Sequence, residues 1–78
     1  MKKYQEAIDD YTKTIQLNPS KNALNRAWHN RAGTYFTVGM YKEAVADAKM
    51  ALELGYPVDP GFIRALEEEV KKASVPKP

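Results

Sequence analysis

The chain has 78 residues, of which 44% are hydrophobic and 28% charged, with a formal net charge of +2 and no cysteine. This length supports one small domain with one modest core, and without cysteine neither a disulfide framework nor a thiolate metal site is available to stabilise it. The net charge is too small to argue for a nucleic-acid or membrane partner, so neither is expected, and the apolar runs are too short for a transmembrane span.

The first predicted helix covers about residues 3–17. Its apolar and aromatic residues recur at spacings of three and four, which place them on one helix face. They are Tyr4, Ala7, Ile8, Tyr11, Thr14 and Ile15. The segment Asn18-Pro19-Ser20 ends the helix, because proline disfavours helical geometry in the residue before it.

The second predicted helix covers about residues 22–38. Ser20 or Asn22 is expected to cap its N-terminus, and Gly39 follows its end. Its broad apolar side consists of Leu24, Ala27, Trp28, Ala32, Tyr35 and Phe36.

The third predicted helix covers about residues 41–54 and the fourth about residues 60–73. Asp59 is expected to cap the fourth helix, with Pro60 in the first turn, where its missing N–H is not needed. The apolar stripe of the third helix is Tyr41, Ala44, Val45, Ala48, Ala51 and Leu52, and that of the fourth is Ile63, Leu66, Val70 and Ala73. Residues 1–73 then form one domain, and residues 74–78 form a flexible tail.

Residues 4–17 and 41–54 are closely similar at an offset of 37 residues. The identical pairs are Tyr4/Tyr41, Glu6/Glu43, Ala7/Ala44, Asp10/Asp47 and Leu17/Leu54. A repeat of this period is typical of stacked helical units, which mostly bind partners. Because short links force neighbouring helices to be antiparallel, the sequence predicts an all-α fold of antiparallel helical hairpins stacked as a short α-solenoid.

These residues resemble the tetratricopeptide repeat, a helix-turn-helix unit of about 34 residues. The resemblance covers nearly the whole chain and implies a half repeat, one full repeat from about residue 27 to 57, and a capping helix. The full repeat carries the signature at Trp28, Ala32, Tyr35, Gly39, Tyr41, Ala44, Ala48 and Ala51. The small residues let helices approach closely while the aromatic residues fill the gaps beside them.

The chain departs from the family pattern at Arg31-Ala32, where leucine and glycine are usual. We expect the stem of Arg31 to lie along the core edge with its charged head in water. The spacing from Tyr4 to Tyr41 exceeds the family period by about three residues. The array also starts in mid-unit, so the first helix lacks a preceding partner: the chain is a fragment, the exposed side is solvated, or another chain covers it.

The resemblance implies a concave groove lined by the first helix of each unit, where a partner peptide or helix docks. The expected groove residues are Arg26, His29, Asn30, Gly33, Phe36 and Thr37. Gly33 leaves room for a ligand backbone, Phe36 offers an apolar contact, and the Asn30 amide can hydrogen-bond a peptide main chain. Asn30 also matches a position with which co-chaperone members of the family bind a chaperone's terminal carboxylate, but that clamp needs several units.

No catalytic, metal or cofactor site is expected. His29 is the one histidine and has no cysteine or second histidine to share a metal, and no nucleophile pattern surrounds it. The acidic pairs Asp9-Asp10 and Glu67-Glu68 point in different directions from their helices and are expected to be solvated.

The leading hypothesis is therefore a non-enzymatic protein-interaction module, an adaptor or scaffold, with a cytoplasmic location. The alternative is a structural or oligomerising element whose exposed first helix packs against another copy to form a homodimer. RNA binding by a related class of helical repeats needs several units and a continuous basic groove, which the sequence lacks.

Overall fold

The computed structural model describes residues 2–17 and 20–74, which form four α-helices and contain no strand. The helices are α1 (Lys2–Leu17), α2 (Lys21–Thr37), α3 (Tyr41–Glu53) and α4 (Pro60–Ser74). The predicted all-α fold of stacked antiparallel hairpins is confirmed. Helix α2 begins and ends one residue earlier than expected, and α4 includes Ser74. The expected break at Asn18-Pro19 and the expected tail at 75–78 lie outside the described residues.

Polar caps and two glycines set the ends of the helices. The Ser20 hydroxyl accepts a hydrogen bond from the Ala23 N–H, and the Asp59 carboxylate accepts one from the Gly61 N–H at 2.8 Å. Gly39 and Gly55 follow α2 and α3 with φ angles of 85° and 96°. These positive φ values favour glycine, so the turns after α2 and after α3 are specified locally.

Replacing Asp59 by alanine should lower the free energy of unfolding by about 1 kcal/mol, because an N–H at the start of α4 loses its acceptor. Urea denaturation followed by circular dichroism measures the change. Asp59→Asn keeps a capping oxygen and is the matched control. Equal destabilisation by both variants would mean that the charge, rather than the cap, is what matters.

Each helix packs against the next along the chain, and the α2–α3 hairpin is the most extensive contact. The chain measures 47 × 29 × 14 Å, so its thinnest dimension is close to the diameter of one helix with its side chains. All four helices therefore keep surface open to solvent. Within the described ranges, no helix is long and apolar enough to cross a bilayer.

The core lies between α2, α3 and α4. The side chains of Ala32, Ala44, Ala48, Ala51 and Leu66 are completely buried. Around them pack partly buried aromatic residues, among them Trp28, Tyr35 and Tyr41. The predicted interlocking of alanine with aromatic side chains is thus confirmed.

The expectation for Arg31 is wrong, because its guanidinium is not in water. Nε and Nη2 of Arg31 donate to the two carboxylate oxygens of Asp47 at 2.6 and 2.9 Å, and Nη1 donates to Thr12 Oγ1 at 3.0 Å. The Thr12 hydroxyl itself donates to the Ile8 carbonyl. The Arg31 side chain is only 15% exposed, so the forked ion pair with the buried Asp47 competes successfully with solvation.

The same guanidinium lies over the ring of Trp28, with 4.8 Å between Arg31 Cζ and the ring centroid. It also lies near the ring of Tyr35, at 5.5 Å from Cζ to the centroid. The hydrogen bonds to Asp47 raise the pKa of Arg31 above its ordinary value, against the opposing effect of partial burial. Arg31 is therefore charged throughout the physiological pH range and joins α1, α2 and α3 through one polar network.

Candidate functional site

The six residues expected to line a groove lie on one side of α2, opposite the side that carries Arg31 and Trp28. Their spacings of three and four place them on a contiguous helix surface centred on Gly33. We call this surface the α2 face, and its residues are Arg26, His29, Asn30, Gly33, Phe36 and Thr37.

The centre of the α2 face is open. A Cβ atom added at Gly33 would meet no heavy atom within 4 Å. The Thr37 hydroxyl donates to the Gly33 carbonyl at 2.9 Å and the Thr34 hydroxyl donates to the Asn30 carbonyl at 3.0 Å. Because these hydroxyl groups donate to backbone carbonyls of α2, Thr37 can offer a ligand mainly its oxygen as a hydrogen-bond acceptor.

One border of the α2 face is aromatic, and we call it the aromatic edge. His29 stacks on Tyr56 with 4.5 Å between the ring centroids, and its ring lies 6.1 Å from that of Phe62. The ring centroid of Phe36 lies 6.2 Å from that of Phe62 and 5.7 Å from that of Tyr41. Because Phe36 is still 41% exposed, the aromatic edge presents an apolar surface to solvent in a fixed orientation.

The opposite border of the α2 face is polar and faces α1. Arg26 and Asn30 line a depression of about 230 Å³ between α1 and α2. The other residues that line it are Tyr11, Thr14, Ala23 and Ala27. The structure therefore brings the predicted residues to one side of the helix but divides them between an aromatic border and a polar one.

Sequence reasoning missed two members of the aromatic edge, Tyr56 and Phe62. Tyr56 follows the turn glycine Gly55 and precedes Pro57, so its position in the link after α3 gave no sign of a contact with α2. Phe62 is adjacent to the predicted α4 stripe but not part of it, and it reaches α2 because Asp59 and Pro60 fix where α4 begins.

Within residues 2–17 and 20–74, no three histidine, aspartate or glutamate side chains are grouped as a metal site. Two further surface depressions include Val70 of α4. In one, Val45 and Val70 lie beside Lys42, Glu67 and Lys71. The other extends from the turn at Gly39 and Met40 to Val70. The α2 face differs from them in combining an aromatic border with a polar one.

Comparison with known proteins gives several similar sequences. The chain is 39% identical over 70 residues to human DnaJ homolog subfamily C member 7, covering 90% of this chain and 13% of that protein. It is 37% identical over 71 residues to the rat mitochondrial import receptor subunit TOM70, covering 88% of this chain and 11% of the receptor subunit. A DnaJ homolog subfamily C member 7 homolog from Schizosaccharomyces pombe is 46% identical over 50 residues, which are 64% of this chain and 10% of that protein.

The chain thus spans about a tenth of the length of these curated relatives. No family model matches the sequence, and no solved structure matches it. The relatives contain tetratricopeptide repeats. Together with the short α-solenoid described above, they support a TPR-like family for this chain.

Proposed function

We propose that this chain is a protein-interaction module that binds a peptide or helix of a partner protein on the α2 face, as an adaptor or scaffold. The observation that carries the proposal is the open surface at Gly33 between the aromatic edge and the polar border. Apolar contact with a few well-placed polar groups is the combination typical of specific binding surfaces.

Each part of the α2 face has a role in this proposal. The ligand backbone passes over Gly33, where no side chain obstructs it. An apolar ligand side chain packs on Phe36, and the Asn30 amide pairs with the ligand main chain. Arg26 attracts an acidic group of the ligand from the polar border.

The relatives favour recognition over catalysis. TOM70 is by name a subunit of a mitochondrial import receptor. We extend the recognition role to this chain and propose the arrangement of a half repeat, a full repeat and a capping helix within a domain of residues 1–73. The non-enzymatic role, the absence of a cofactor and the cytoplasmic location stay predictions.

Gly33→Leu should block the α2 face without unfolding the protein, because the new side chain enters open space. The probe is a set of peptides selected from a random phage-displayed library against the unmodified chain, with affinity measured by isothermal titration calorimetry. We expect Gly33→Leu to abolish binding of most selected peptides, and Phe36→Ala and Asn30→Ala each to weaken it by about 1–2 kcal/mol.

Gly33→Ala is the matched control, because it adds helix propensity but little bulk. It should raise the free energy of unfolding by up to about 1 kcal/mol while peptide binding is largely kept. Unchanged affinity in Gly33→Leu, Phe36→Ala and Asn30→Ala, with native circular dichroism, would reject the α2 face as the binding site.

The alternative role as an oligomerising element stays a prediction without direct support. Among the exposed described side chains of α1, only Tyr4 and Leu17 are aromatic or aliphatic, and the others are polar or charged. Light scattering over a concentration series separates the two roles, since a monomer at every concentration removes the homodimer.

A further inference from the structure

The internal repeat assigns a second interaction surface, on α1. Helix α3 packs on α2 through buried residues that include Ala44, Asp47 and Ala51. At the repeat offset of 37, these residues correspond to Ala7, Asp10 and Thr14 of α1. Helix α1 therefore repeats part of the surface with which α3 packs on α2: the alanine and the aspartate are identical, and Thr14 replaces the second alanine.

The corresponding residues of α1 are less buried than those of α3. Ala44 and Ala51 are completely buried and Asp47 is 4% exposed. Their counterparts Ala7 and Thr14 are only half-buried. Asp10, the counterpart of Asp47, is exposed.

The depression between α1 and α2 shows the same difference in burial between α1 and α3. It is lined by Tyr11 and Thr14, whose counterparts Ala48 and Ala51 belong to the buried core. In that core the neighbouring aromatic residues of α2, Trp28 and Tyr35, fill the space. The depression of about 230 Å³ thus marks the position that an aromatic side chain from a further helix would occupy.

The charges identify the chemistry of such a helix. Asp47 receives the guanidinium of Arg31 through two hydrogen bonds. Asp10 and Glu6, one turn apart on α1, are both exposed acids, and no described side chain forms an ion pair with either. A cationic side chain would therefore be attracted to this surface, and arginine matches a carboxylate with two parallel hydrogen bonds.

We propose that the surface formed by Ala7, Asp10, Tyr11 and Thr14, which we call the α1 face, docks an amphipathic helix of another polypeptide with the side-chain pattern of α2. In that helix an arginine pairs with Asp10, a neighbouring alanine packs on Ala7, and an aromatic residue fills the depression. The α1 face adjoins the α2 face at Arg26 and Asn30 but is anchored by Asp10, which the α2 face does not include.

The probe is a synthetic peptide with the sequence of residues 20–38 and blocked termini, because it carries the arginine, alanine and aromatic residues at the required spacing. Its binding to the full chain is measured by fluorescence anisotropy. Asp10→Asn in the chain and Arg31→Met in the peptide should each weaken binding about tenfold, as expected for loss of a charge-assisted pair. The two changes together should weaken it little further, because they remove the same interaction.

Asp9→Asn is the matched control: it changes the same charge on the same helix, but Asp9 is exposed and hydrogen-bonded to Gln5 on another side of α1. Asp9→Asn should leave the affinity for the peptide unchanged. Phe36→Ala should do the same, because Phe36 belongs to the α2 face and not to the α1 face, so the two proposals can fail separately. In amide NMR spectra the peptide should shift Ala7, Asp10, Tyr11 and Thr14. Absence of binding, equal loss in Asp9→Asn and Asp10→Asn, or shifts at Ala44 and Ala51 that show exchange with the chain's own α2 would overturn the proposal.

Discussion

Arg31→Ala is expected to lower the free energy of unfolding by about 3–5 kcal/mol, because it leaves the buried Asp47 carboxylate without its partner. The variant also loses the contact with Thr12 and the packing of the guanidinium on Trp28. For a domain of this size such a loss approaches the whole stability, so we expect the variant to be largely unfolded at room temperature. Urea denaturation and thermal melting measure the change.

The double variant Arg31→Met, Asp47→Leu tests the cause. With both charges gone, no buried carboxylate lacks a partner, and most of the stability should return. Lys49→Ala is the control, because it removes an ion pair with Glu67 in which both side chains are about half exposed, and it should cost at most about 1 kcal/mol. If Arg31→Ala proved as stable as Lys49→Ala, the buried Arg31–Asp47 pair would not be a main source of stability.

Leu66→Ala is expected to cost about 2–5 kcal/mol, because Leu66 is the largest completely buried side chain of the described core and its truncation leaves a cavity. The loss should fall first on the contact between α3 and α4, since Leu66 is the residue of α4 that enters the alanine cluster. The position of the aromatic edge depends on the same contact through Phe62.

Chemical denaturation measures the stability of Leu66→Ala, and near-ultraviolet circular dichroism reports the aromatic edge. Glu68→Ala, on the exposed side of α4, is the matched control and should change the stability by no more than about 0.5 kcal/mol. A Leu66→Ala variant as stable as Glu68→Ala would show that α4 is not part of the cooperative core.

The helices and the α2 face were predictable because they depend on local spacing. Alanine and aromatic residues three and four positions apart specify a helix side whatever that side contacts, and Ser20, Gly39 and Asp59 are local signals for helix ends. The all-α stack followed from the repeat at Tyr4 and Tyr41. For these features no knowledge of the distance between helices was required.

The Arg31–Asp47 pair was not predictable from the same signals. The two residues are 16 positions apart and meet only because of the way α2 and α3 cross. The repeated aspartate at positions 10 and 47 was visible, but a repeated residue does not reveal its partner. Tyr56 and Phe62 were missed for a similar reason, because their contact with His29 depends on the course of the chain between α3 and α4.

The placement of Arg31 has a consequence for which residues of α2 can be substituted without loss of the fold. The side of α2 that carries Arg31 and Trp28 packs against α1 and α3, whereas the opposite side is open at Gly33 and contacts other elements along the aromatic edge, through His29 and Phe36. Substitutions at Arg26, Asn30 or Thr37, which are exposed, are therefore expected to change the stability little, whereas substitutions on the opposite side of α2 endanger the fold. The proposed binding surface could therefore change its side chains while the packing of the four helices stays constant.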